Sequence, residues 1–112
     1  MKIIKKENKS FEREAAHVGS GFRKVFIAEN EVKNYQALTY GYIPAGKKFD
    51  LHNHENITEI MIVLKGEGIV RDEDGEYGYA PGDVFIYPPN VMHEIENTGS
   101  DEHEFVFVRT KE

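Results

Sequence analysis

From residue 22 onward, apolar side chains gather in short runs divided by polar corners. The runs cover 22–27, 35–43, 59–64, 69–71, 77–80, 84–87, 93–97 and 104–108, and most are rich in aromatic or β-branched residues. No helical period is sustained over a dozen residues, whereas His93 and Ile95 alternate with Glu94 and Glu96 at the two-residue period of a strand. The corners carry turn chemistry: Glu29-Asn30-Glu31, Pro44-Ala45-Gly46, Pro81-Gly82-Asp83 and Pro88-Pro89-Asn90. Asp72-Glu73-Asp74-Gly75 holds the Asp-Gly pair that favours a type I′ hairpin, and its acidic run reads as a solvated hairpin tip. Beyond Glu59, residues 60–64 are apolar on both faces, as expected of a strand between two layers or at a subunit contact. Short strands with turn signals roughly every eight to twelve residues predict an all-β sandwich or small barrel. Residues 11–16 allow one short helical turn, and segment 1–20 is expected to be an arm or a first edge strand.

A chain of 112 residues is expected to form one domain, 1–112, with no linker dividing it. Its 39% hydrophobic and 12% aromatic content suits a folded core. A net charge of −6 argues against nucleic acid or an anionic membrane surface as partner, and no apolar run approaches the length of a membrane span. Residues 1–6 lack the apolar stretch of a secretory signal. With no cysteine, disulfides, thiolate metal sites and thiol nucleophiles are excluded together. A cytoplasmic location is therefore expected, and any metal must be held by nitrogen and oxygen.

The chemistry gathers at His52, His54 and Glu59. Histidines two apart on a strand share a face, roughly 7 Å apart along the backbone, from where both imidazoles can reach one ion. Glu59 lies an odd number of residues beyond His54, so a continuous strand would turn it to the other side. A fold-back at Glu55-Asn56 resolves this, placing Glu59 on the neighbouring strand across from the histidines. His93, inward with Ile95, can supply a fourth ligand. Three imidazoles and a carboxylate around an octahedral divalent ion leave two positions for water or substrate, as in a reactive site and unlike closed structural zinc.

Both clusters have the spacing of known motifs. Gly46, His52, His54, Glu59 and Gly66 reproduce Gly, five residues, His-x-His, four residues, Glu, six residues, Gly. Gly82, Pro88, His93 and Asn97 match a second motif, with Asn90 in place of its second glycine, a mild departure because Asn tolerates the left-handed conformation. On these residues, spanning 46–97, the chain resembles a small single-domain cupin. The resemblance implies a double-stranded β-helix, the cupin jelly-roll barrel, with His52, His54, Glu59 and His93 as metal ligands. It also implies one divalent ion per chain, for which manganese, iron, nickel, cobalt and zinc all suit nitrogen and oxygen donors.

The resemblance implies a site more than a reaction, since cupins with these ligands include dioxygenases, decarboxylases, isomerases, lyases and proteins without known turnover. The reading it favours is a metal-dependent enzyme acting on a small anionic molecule: a carboxylate, a keto or hydroxy acid, or a sugar acid. The alternative is a non-catalytic module that binds or senses a small ligand or metal. A purely structural metal is disfavoured by the open coordination. No long insertion supplies a lid, so catalytic groups must come from the barrel wall or a partner subunit. Tyr42 and Tyr87 are candidate proton donors or substrate contacts, although core packing is the commoner role of a strand tyrosine. Arg109, and likewise Arg23, is a candidate for a substrate carboxylate, with a salt bridge or dimer contact as the plainer reading. Phe49, Ile57, Met61 and Phe107 are candidate pocket walls. His17 and His103 match neither motif and are expected at the surface. Exposed edge strands and two-faced apolar runs predict a homodimer, with the N-terminal strand a candidate to pair across it.

Overall fold

In the computed structural model, residues 1–5, 13–16 and 19–112 are described, and they form ten strands and no helix. The strands are β1 (Glu14–Ala15), β2 (Phe22–Ile27), β3 (Tyr35–Ile43), β4 (Lys48–His52), β5 (Ile57–Lys65), β6 (Gly68–Asp72), β7 (Glu76–Tyr79), β8 (Val84–Tyr87), β9 (His93–Glu96) and β10 (His103–Lys111). A six-stranded antiparallel sheet, β1-β2-β3-β10-β5-β8, faces a four-stranded one, β4-β9-β6-β7. This is the jelly-roll barrel that the strand pattern and the motifs predict.

Cross-strand register explains which side chains face inward. On the six-stranded sheet, Thr39, Phe107, Met61 and Phe85 form one row, and Ala37, Arg109, Glu59 and Tyr87 form the next. Phe105 and Met61 are fully enclosed, and with Ile43, Val63, Val70 and Ile95 they join the two sheets into a single core. Each such burial contributes about 1.5–3 kcal/mol relative to exposure. The alternate rows point outward: Tyr40, Val106, Ile62 and Val84, then Leu38, Val108, Ile60 and Ile86. The four-stranded sheet is charged on its outer face, where Arg71 donates to Glu76 at 2.7 Å, Glu94 at 3.1 Å and Glu96 at 2.7 Å.

Several local expectations are corrected. Glu14–Ala15, within the segment expected to allow a helical turn, is a strand paired to Phe22 and Arg23 of its own chain. Phe11, Glu12 and His17 lie outside the described residues. The β6–β7 hairpin is not type I′, because neither Asp74 nor Gly75 has positive φ. Its three-residue loop is held instead by the Asp72 carboxylate, which accepts from the backbone N–H of Asp74 and Gly75. Asn90, in contrast, adopts the left-handed conformation expected of it, with φ 68°.

His103 is a larger correction. It is 4% exposed, and its Nδ1 lies 2.7 Å from the Tyr79 hydroxyl. A side chain at Gly66 would run into its ring. Alternation along β10 turns His103 inward with Phe105 and Phe107, and this outweighs its acidic neighbours. Asn97 of the second motif is also enclosed. Its amide donates to the carbonyls of Ile43 and Asp101, while its oxygen accepts from Gly99 N–H.

Candidate metal centre

Three strands and one connecting segment bring the predicted ligands together. His52 closes β4, His54 follows in the connecting segment, Glu59 lies in β5 and His93 opens β9. The chain folds back at Glu55-Asn56, with Asn56 at φ 56°. However, β5 does not pair with β4. The turn carries the chain into the opposite sheet, so Glu59 faces the histidines across the barrel interior instead of from an adjacent strand.

One donor atom from each of His52, His54, Glu59 and His93 lies within 4.8 Å of all the others. Glu59 Oε2 is 3.2 Å from His54 Nε2, and Glu59 Oε1 is 3.2 Å from His93 Nε2. Bonds near 2.1 Å would set neighbouring donors roughly 3 Å apart and opposite donors roughly 4.2 Å apart, so little movement is needed to close on an ion.

Hydrogen-bond accounting tests whether a cation fits. His52 Nδ1 lies 2.6 Å from the Asp50 carbonyl, which holds its proton there and leaves Nε2 as a lone pair. Burial pushes the His52 imidazole below its usual value, which also favours the neutral, ligating form. His93 meets acceptors at both ring nitrogens: the Val91 carbonyl at 3.0 Å from Nδ1 and the Glu59 carboxylate at Nε2. A neutral imidazole can donate to only one of them. His54 Nε2 is enclosed, and despite its nearness to Glu59 the angles make no hydrogen bond. A positive ion among these donors answers all three, and the residues fit a divalent metal.

Glu59 is 1% exposed. Burial alone would raise its carboxyl, but His54, His93 and the Arg109 charge outweigh it and hold the group well below the usual carboxylate range. Arg109, directly across from Glu59 on β10, donates from Nε to Oε2 at 2.7 Å. The plainer reading of Arg109 as a salt-bridge partner therefore describes its contact, and it also lines the cavity beside the site.

The two candidate tyrosines do not reach that cavity. Tyr87 stacks on His93 with ring centroids 3.9 Å apart and planes within 10°, and burial pushes its hydroxyl up. The Tyr87 hydroxyl is enclosed without a partner, and the ring buttresses His93 and does not line the cavity. Tyr42 has the parity opposite to Thr39 and Gly41, with the Arg13 guanidinium 3.9 Å from its ring centroid.

The cavity measures about 420 Å³. Phe49, Ile57 and Phe107 line it as expected, whereas Met61 belongs to the closed core. His52, His54 and Glu59 open onto it, and His93 stands behind Glu59. Arg23 also lines it, with Nε donating to Glu14 at 2.8 Å. Sequence reasoning missed Thr39 and Gln36. Alternation along 35–43 could have found Thr39, but Gln36 depends on an irregularity in the strand.

Comparison with known proteins agrees with this geometry. The cupin domain model matches residues 39–109. The chain belongs to the cupin family. An uncharacterised protein of Methanocaldococcus jannaschii is 31% identical over 100 residues, covering 89% of this chain and 80% of that protein. An oxalate-binding protein of Thermotoga maritima is 38% identical over 66 residues, which is 59% of this cupin and 54% of the relative. Among solved structures, a predicted oxalate decarboxylase of Thermotoga maritima superposes with TM-score 0.87 at 25% identity, covering 99% of this chain and 100% of that one. KdgF from a Halomonas species superposes at 0.75 with 20% identity over 94% and 93% of the two chains, a likeness of fold.

Proposed function

We propose that this cupin holds one divalent metal ion through His52, His54, Glu59 and His93, and acts as an enzyme on a small carboxylate in the adjoining cavity. The observation that carries the reading is the unmet donor set: four converging ligand atoms, including the orphaned His54 Nε2, at a cavity that also contains Arg109. A bound ion would supply Lewis-acid stabilisation of charge developing on a coordinated oxygen. Arg109 keeps the Glu59 carboxylate ionised and oriented, and its guanidinium adds positive charge where a substrate carboxylate would lie. Phe49, Ile57 and Phe107 exclude water and strengthen these electrostatic contacts. The names of two relatives, an oxalate-binding protein and a predicted oxalate decarboxylase, support a small carboxylate.

A non-catalytic binding module is the second reading. It is favoured by the wall itself: among the described lining residues there is no tyrosine or lysine, and the carboxylates are Glu55 and Glu59 of the proposed ligand set. We further propose one domain, a cytoplasmic location and a homodimer. Among the described residues no helix is long and apolar enough to cross a membrane.

Elemental analysis of untagged protein, before and after soaking in manganese, iron, nickel, cobalt or zinc, tests the centre. About one metal per chain is expected in the wild type and in Glu67→Gln, with Glu59→Gln losing at least tenfold in affinity, the scale on which even outer-shell changes act. Equal retention by both variants would remove Glu59 from the centre. The loaded protein is then screened against carboxylic, keto, hydroxy and sugar acids for oxygen uptake and product. Turnover supports the enzyme, and saturable binding without turnover supports the binding module.

A further inference from the structure

Gln36 faces the cavity because of a break in strand register. Along β3, Ala37 pairs with Arg109 and Tyr35 with Thr110, so two residues advance on β3 while one advances on β10. Gln36 is the extra residue of that β-bulge. By simple alternation it would point outward with Leu38 and Tyr40, yet it lines the cavity with Thr39 and Gly41. Bulges re-aim side chains in this way at barrel rims and beside sites. The amide so delivered has an enclosed Oε1 with no hydrogen-bond partner. An unmet buried acceptor is destabilising until a donor reaches it. The terminal torsion of a glutamine is soft, so the amide can turn that oxygen toward an incoming donor at little expense.

Position and volume limit what that donor belongs to. Gln36 neighbours the row Ala37–Arg109–Glu59, two strand spacings or roughly 10 Å of backbone from the metal ligand. The cavity's 420 Å³ is the liquid volume of about fourteen waters at about 30 Å³ each, far more than a two-carbon dianion fills. Phe49, Phe107, Ile57 and Ile95 supply the cavity's apolar lining.

We propose that Gln36 is a specificity-determining residue, and that the ligand is a hydroxylated monocarboxylate with an apolar body, longer than oxalate. Its carboxylate sits at the Arg109 and metal end, its body packs between the phenylalanines and isoleucines, and its hydroxyl donates to Gln36. The inference rests on the metal-centre reading and deepens it.

Calorimetry on metal-loaded protein tests it with 4-hydroxybenzoate against benzoate, 5-hydroxypentanoate against pentanoate, and oxalate. In the wild type the hydroxylated member of at least one pair binds about tenfold tighter than its partner, because a site built for a hydroxyl rejects the analogue lacking it. In Gln36→Met, with Gln36→Leu as a second replacement, that preference disappears while metal content and affinity for the deoxy acid stay unchanged. The metal-free Gln36→Met protein melts no lower than wild type, since an unpaired polar group has been removed. A wild type without preference for the hydroxyl, tightest binding of oxalate, an unchanged preference in the variants, or a fall of several degrees in melting temperature would each overturn the role of Gln36 and leave the metal centre standing. Loss of metal from wild type as well as variants would overturn the metal-centre reading itself, and this inference with it.

Discussion

The His103 ring is enclosed between Tyr79, Gly66 and Gly99, and burial pushes its imidazole below the usual value. The charged form is the one penalised, so the folded chain binds this proton less readily than the unfolded chain. As pH falls through about 6.5, the unfolded state takes up the extra proton first, and His103 loses its contribution between there and its lower folded value. Denaturant midpoints of metal-free wild type and His103→Gln should therefore differ most near pH 7.5, and the gap should narrow as pH falls below about 6.5. A constant gap would mean that His103 does not titrate on unfolding in this range. The clustering of His52, His54, Glu59 and His93 could be read from linear spacing because each is set by its distance to a motif neighbour. His103, the Arg109–Glu59 pair and the Tyr87–His93 stack could not, because each depends on which strands lie side by side.

Strand positions follow alternation closely, while connections follow local hydrogen bonding. β2, β3 and β8 keep the bounds that their apolar runs predict. The Asp72 carboxylate decides the β6–β7 loop against the expected turn, and the bulge at Gln36 leaves no trace in residue types. The most consequential connection is the one after β9, where Asn97 ties its own strand end to Ile43 and to the 98–102 loop. Replacing Asn97 by Ala leaves the enclosed Ile43 carbonyl without this donor and releases the Asp101 carbonyl and the Gly99 N–H nearer the surface. At about 1–3 kcal/mol for the buried orphaned carbonyl, with smaller losses for the two part-buried groups, a loss of about 2–4 kcal/mol is expected by urea denaturation, enough to remove a large share of a small domain's stability. Metal content per folded chain should not change, because Asn97 contacts no ligand. A loss below about 1 kcal/mol would show that water replaces the amide and that the motif asparagine is dispensable to the loop.

At the scale of the molecule, the two outer faces of the barrel differ in kind. The four-stranded sheet covers itself with the Arg71, Glu76, Glu94 and Glu96 cluster, whose charges are satisfied in water. The six-stranded sheet presents two rows of four apolar or aromatic side chains, of which Val84 is 55% and Ile86 65% exposed, with Leu64 beyond them on β5 44% exposed. Contiguous apolar surface of this kind marks a contact, and β8 ends the sheet with an edge open to pairing. A second copy is the simplest cover, because a two-fold packing of this face on itself would match apolar rows to apolar rows. In such a dimer the apolar rows would carry the contact, and β1, which pairs with β2 of its own chain and ends the sheet at the other side, would not need to be exchanged between subunits. Sedimentation equilibrium should return about twice the 12.9 kDa chain mass. The double variant Ile62→Lys, Ile86→Lys should sediment as a folded monomer, whereas Arg71→Ala on the opposite face should remain dimeric. A wild type that stays monomeric at tens of micromolar would mean that the apolar rows are tolerated in water, and the homodimer would have to be abandoned.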